Sequence, residues 1–166
     1  MTLSLTFLNY SGKTLDLEKS DLGGGRDAFG GHTWEASESL GKTIMAFSGA
    51  EKLVSIDVKF YRFLARHYVY GYGIWKEKDS GLTIGAYLYY PGAVLGFIEM
   101  KDPRWKYCYG TRIPDKDEDW IDMGAQTEPI VVSRCDGIPK PLNVRFQPKI
   151  TNDNIDLTVV IHDPPK

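Results

Sequence analysis

Between residues 68 and 92 the chain reads YVYGYGIWKEKDSGLTIGAYLYYPG. Tyr68, Tyr70 and Tyr72 recur with period two, as do Tyr87 and Tyr89, so in extended strands each set lies on one face. A tyrosine offers a large ring and a hydroxyl that both donates and accepts, which suits ligands with an apolar face and a polar head. Sugars stack on such rings. Quaternary ammonium groups are held over them by cation–π attraction, about 0.5–2 kcal/mol per ring depending on desolvation. Tyrosine and tryptophan also favour the lipid–water boundary. The candidate ligand-binding residues are therefore Tyr70, Tyr72 and Trp75 in the first half of the stretch, and Tyr87, Tyr89 and Tyr90 in the second. Trp105 and Tyr107 form a second aromatic group downstream.

The element that must position them is a β-hairpin turning at Asp79, Ser80 and Gly81. A two-residue loop pairs positions whose numbers sum to an odd value and so sets the even-numbered tyrosines beside the odd-numbered ones. A three-residue loop separates them. Ser80-Gly81 suits the first, and Gly81 in a left-handed conformation suits a longer loop. Aromatic residues also pair across strands inside sandwiches, so the same spacing fits a packed core.

Around the hairpin the pattern is of short strands. Leu3, Leu5 and Phe7 alternate with Ser4 and Thr6, and Asn9-Tyr10-Ser11-Gly12 closes that strand. A second strand is expected over residues 14–18, and a mobile glycine-rich loop over 20–31, lacking the Gly-Lys-Ser/Thr ending of a phosphate loop. Trp34 and residues 43–48 read as short strands. Residues 53–60 fit a helical stripe loosely, but their β-branched alternation argues for a strand. Residues 62–67 suit one turn of helix, 93–100 a strand, 111–126 a polar surface loop, and 128–134, 142–147 and 155–162 the closing strands. The sum is an all-β chain, a single antiparallel β-sandwich domain over residues 1–166, with a closed β-barrel as the alternative.

At 166 residues the chain is long enough to bury a substantial core, and 42% hydrophobic with 25% charged residues is ordinary globular composition. A formal charge of −2 with no basic stripe argues against nucleic acid as a partner. The amino terminus carries neither a basic start nor a long apolar core, so no conventional signal peptide is read. The expected location is the cytoplasm, or outside the cell by another route, with peripheral membrane association. Cys108 and Cys135 match no zinc spacing; two free thiols are expected, with a disulfide between them as the alternative.

Enzymatic motifs are missing. His32, His67 and His162 are scattered, and no nucleophile elbow or metalloprotease helix occurs, so the reading leans away from an enzyme and implies no cofactor. Asp115, Asp117 and Asp119 form a weak calcium candidate. Trp120 stands where an EF-hand needs glycine, and Gln126 where it needs glutamate, which favours a solvated acidic loop.

The turn Asn9-Tyr10-Ser11-Gly12, the glycine-rich loop, Gly71-Tyr72-Gly73-Ile74-Trp75 and the strand ending Tyr89-Tyr90-Pro91-Gly92 together resemble the small cytolysin and lectin sandwiches, the actinoporins and aegerolysins. The resemblance covers about the first two-thirds of the chain. It implies a non-enzymatic domain that recognises membrane lipids, often choline-headed sphingolipids, and that oligomerises or works with a pore-forming partner. In the actinoporin pattern Tyr87, Tyr89 and Tyr90 with Pro91 are the headgroup counterparts. The amphipathic amino-terminal helix that actinoporins insert has no counterpart ahead of Leu3, which counts against pore formation by that route. The leading expectation is a lipid-headgroup-binding, cytolysin-like domain. A glycan-binding lectin, and a small β-barrel enzyme or ligand carrier with inward-facing tyrosines, are the alternatives.

Overall fold

A computed structural model describes residues 2–24, 34–36, 43–48, 51–57, 69–90, 102–151 and 154–165. Among these the chain forms β1 (Thr2–Asn9), β2 (Leu15–Gly24), β3 (Trp34–Ala36), β4 (Glu51–Asp57), β5 (Val69–Glu77), β6 (Thr83–Tyr90), β7 (Arg104–Gly110), β8 (Ile121–Gly124), β9 (Ile130–Val132), β10 (Asn143–Thr151) and β11 (Asn154–His162). One sheet runs β3-β4-β1-β11-β10-β9 and the other β2-β5-β6-β7-β8. The two sheets are separate, so the architecture is a sandwich and not a closed barrel. Pairing is antiparallel except between β1 and β11, which run parallel.

Alternation fills the space between the sheets. Leu3, Leu5 and Phe7 of β1, Val144 and Phe146 of β10, and Leu157, Val159 and Ile161 of β11 turn their side chains inward. Trp75 of β5, Leu88 and Tyr90 of β6 and Trp105 of β7 meet them from the facing sheet. The Phe7 and Trp75 rings cross the layer with centroids 4.6 Å apart. Trp75 fits because Gly73, two residues back on the same face, has no side chain: a Cβ there would lie 2.2 Å from the indole.

Several expected boundaries move. Residues 20–24, expected in a loop, extend β2 along β5, because a main-chain ladder needs no side chains to hold it. Residues 43–48, expected as a strand, make one bridge from Ile44 to Leu15 and then turn, since Phe47 adopts φ 55°. The polar segment 111–126 contains a 3-10 turn at Asp117–Asp119 and strand β8, paired with β7. Strand β10 runs past Gln147 through Pro148, tolerated because β9 pairs only with residues 144–146 and leaves an edge beyond. Tyr68, Pro91 and Gly92, the helical turn at 62–67, the strand at 93–100, His32 and His67 all lie outside the described residues.

Candidate functional site

The hairpin register is odd: Tyr70 pairs with Tyr89 and Tyr72 with Tyr87. The loop that sets it has four residues, 78–81, and not two. The Glu77 N–H donates to the Leu82 carbonyl at 2.8 Å, and the Gly81 N–H to the Glu77 carbonyl at 2.9 Å. Gly81 takes the left-handed conformation expected of a longer loop, at φ 77°. Four, like two, is even, so parity is preserved. The Glu77 carboxylate ties the turn, accepting the N–H groups of Asp79 at 2.9 Å and Ser80 at 2.8 Å together with the Ser80 hydroxyl. Burial pushes that carboxyl upward, but these donors outweigh it and hold it below its ordinary value.

The structure divides the eight sequence-predicted residues. Tyr70, Tyr72, Tyr87 and Tyr89 gather on the face of the second sheet turned away from the core, with Ile74 and Cys108. Trp75, Tyr90 and Trp105 point the other way and are fully buried within the sandwich. As candidate ligand-binding residues these three are corrected to core, because residues an odd number of positions from the tyrosine rows fall on the opposite side of the pleat. Tyr107 also lies inward, with its ring 4.9 Å from that of Phe146. The inward tyrosines pack as core, Tyr90 fully buried with Tyr107 and Tyr109 against it, and do not form the aromatic-lined interior on which the barrel carrier reading depended.

On the outer face the rings touch one another. Tyr87 stacks on Tyr72 at 5.3 Å and on Tyr70 at 5.9 Å, and meets Tyr89 edge-on at 5.8 Å. Trp120 closes the group, edge-on to Tyr72 at 5.6 Å and to Tyr87 at 5.4 Å. Its indole lies over the backbone of Gly85, where a Cβ would come within 3.0 Å of it. Tyr87, Tyr89 and Trp120 are left 6%, 7% and 8% exposed, whereas Tyr70 and Tyr72 keep part of their surface. The accessible edge of the cluster is therefore the β5 pair.

Polar groups border the rings. The Tyr70 hydroxyl donates to Asp21 at 2.8 Å, and that of Tyr89 to Asp122 at 2.8 Å. Burial, and then the Asp122 carboxylate, push the Tyr89 phenol up to about 12. The Lys106 ammonium stands 5.0 Å from the Tyr87 ring centroid and 4.9 Å from that of Tyr89, and reaches Asp117 at 3.3 Å. The tyrosine face thus already holds one cation over two rings.

Trp120 and Lys106 were not among the residues singled out by sequence reasoning. In sequence Trp120 stands only as the residue that spoils a calcium loop, and nothing local marks it as a partner of tyrosines across the sheet. The acidic residues themselves do not converge. Asp119 accepts the N–H groups of Asp115 and Lys116, both at 3.0 Å, and Asp117 faces Lys106. Among the described residues no three His, Cys, Asp or Glu side chains are placed to hold a metal. Cys108 and Cys135 are free thiols, the first in the outer cluster and the second packed against the core.

No protein-family model matches this chain, and no curated protein sequence matches it. Among solved structures it is similar to the crystal structure of the lipid-binding protein Nakanori, with a TM-score of 0.55 and 12% sequence identity, over 96% of this chain and 70% of that one. The similarity is one of fold.

Proposed function

We propose that this protein is a non-enzymatic recognition domain that binds a membrane lipid headgroup at the outer tyrosine face, and that it associates peripherally with membranes. The observation that carries the reading is the convergence of Tyr70, Tyr72, Tyr87, Tyr89 and Trp120 outside the core. Such rings are not needed to fill the sandwich. The cation held over Tyr87 and Tyr89 by Lys106 illustrates the attraction a choline-type ammonium would find at the neighbouring Tyr70 and Tyr72 rings. That a protein of the same fold binds lipid supports this choice of ligand over a sugar.

The test is co-sedimentation with vesicles of phosphatidylcholine, with and without sphingomyelin, for the wild-type protein and a Tyr70→Ala/Tyr72→Ala variant. Headgroup-dependent pelleting that the variant loses while remaining folded is the expected result. No pelleting on any vesicle, together with clear hits on a glycan array, would replace the lipid reading with a lectin. Dye release from the same vesicles reads out the cytolysin-like step, permeabilisation after binding.

A further inference from the structure

At the end of the sandwich where β1 and β11 finish, three apolar side chains stand in solvent: Tyr10 at 50% exposure, Met45 at 59% and Phe47 at 72%. The buried side chain of Asn9 brings their backbones together. Its amide donates to the carbonyls of Lys13 at 2.8 Å and Met45 at 3.0 Å, and its carbonyl oxygen accepts the N–H of Ser11 at 3.0 Å and its hydroxyl at 2.6 Å. The Phe47 N–H then donates to the Ser11 carbonyl at 3.0 Å, and Tyr10 stacks on His162 at 5.2 Å. A rigid polar frame therefore presents an apolar tip.

Phe47 adds a second, independent sign. Among the described residues it is the one non-glycine at positive φ, 55°, a conformation that glycine adopts freely and phenylalanine does not. Within the chain the ring only lies over Gly12, where a Cβ would come 3.5 Å from it, and 72% of the residue stays exposed, so intrachain packing offsets little of that strain. It is accounted for if the ring has a partner outside it.

We infer that the turn at residues 45–47, with Tyr10 beside it, is a membrane-inserting tip that seats Phe47 and Met45 at the acyl boundary of a bilayer and Tyr10 at headgroup level; this rests on the lipid-recognition reading. A bilayer is favoured over a protein partner by area and shape. At their exposures of 50%, 59% and 72% these three side chains offer about 350 Å² to a partner, short of the ~800 Å² per partner of a stable protein interface. They sit on a projecting turn, which a fluid surface accepts without complementary shape. Charge contributes little. Lys13 is paired with Asp79 at 2.9 Å, and the adjoining groove of about 570 Å³ sets Lys13 and Lys140 against Glu77, Asp79 and Asp163. Attachment is therefore apolar, insensitive to salt and independent of anionic lipid.

The deciding variant is Phe47→Gly, which removes the ring and relaxes the backbone. It keeps or raises the melting temperature, while the phosphatidylcholine concentration for half-maximal pelleting rises about tenfold or more. Met45→Ser shifts it in the same direction. In Phe47→Trp, the difference emission spectrum against wild type moves to the blue on adding vesicles. Wild-type pelleting with undiminished binding by Phe47→Gly overturns the tip and leaves the tyrosine face standing. Loss of binding in Phe47→Gly but not in Tyr70→Ala/Tyr72→Ala supports the tip and overturns the tyrosine face. A wild-type protein that pellets with no vesicle overturns both.

Discussion

The Tyr72 ring lies parallel to that of Tyr87, with centroids 5.3 Å apart and planes 9° apart, and the two residues are direct cross-strand partners. This stack is the midpoint of the outer cluster, because Tyr87 also touches Tyr70, Tyr89 and Trp120. The tyrosine face is thus one contiguous assembly whose members position each other, and it is exposed along the β5 side. Under the proposed function, ligand contact and sheet stability would be coupled there.

Tyr72→Ala removes both the stack on Tyr87 and the edge contact with Trp120, at about 0.5–1.5 kcal/mol each beyond the area lost. Urea denaturation should show a loss of at least about 1–3 kcal/mol, with the lost buried area adding to it. Tyr72→Phe keeps the ring and stays close to wild type. Equal losses in the two variants would mean that the hydroxyl, and not the stacking, holds the cluster.

Gly73→Ala should be strongly destabilising. The added Cβ would come within 2.2 Å of the Trp75 ring, which is fully buried and has nowhere to retreat. Overpacking of this kind costs about 1–3 kcal/mol. Gly110→Ala, whose Cβ meets nothing within 4 Å, is the control and leaves the thermal midpoint nearly unchanged. A tolerated Gly73→Ala would show that Trp75 repacks.

The strands were legible in the sequence wherever apolar residues alternate, as in Leu3-Ser4-Leu5-Thr6-Phe7, because burial on one face writes itself in period two. The tyrosine pairing was legible only up to parity. Its deciding contacts are the main-chain bonds of Glu77 with Leu82 and Gly81, which leave no compositional mark. Trp120 was invisible as a site residue because it arrives from a loop across the sheet, far in sequence from Tyr72 and Tyr87. The inward turn of Trp75, Tyr90 and Trp105 was implied by the same alternation that selected the tyrosines. Apolar tip residues such as Phe47 resemble core residues in composition, and exposure separates them only once the chain is folded.

Asn9→Ala should destabilise the protein by about 2 kcal/mol, since it strands the partners of four hydrogen bonds, two of them buried and two part-buried. Asn9→Asp should be no better. It keeps the acceptor for Ser11 but turns a carboxylate toward the carbonyls of Lys13 and Met45, replacing two attractions by repulsion. Chemical denaturation of both variants is the check, and an Asn9→Asp protein as stable as wild type would show that the amide donors contribute little. Vesicle binding should fall with either change, because Asn9 fixes the turn that carries Phe47.

Alkaline pH should unfold the protein through groups that the fold keeps neutral. Burial pushes the Cys108 thiol from 9.0 up to about 12. Burial, and then Asp122, push the Tyr89 phenol from 10.0 to about 12, and burial, with the negative charge of the Cys135 thiolate adding to it, does the same for Tyr109. A pKa raised on folding means that the unfolded chain releases its proton first. The stability these groups contribute is complete below their unfolded values and is lost as pH rises toward their folded ones. Denaturation midpoints should hold up to about pH 8.5, the ordinary thiol range, and then fall steadily toward pH 12, with tyrosinate absorbance rising together with the loss of circular dichroism. Cys108→Ala removes the first of the three titrations, so its midpoint should be flatter between pH 9 and 10 than that of wild type, whatever its starting stability. An unchanged slope in that interval would mean that the Cys108 thiol ionises in the folded sheet as readily as in the unfolded chain.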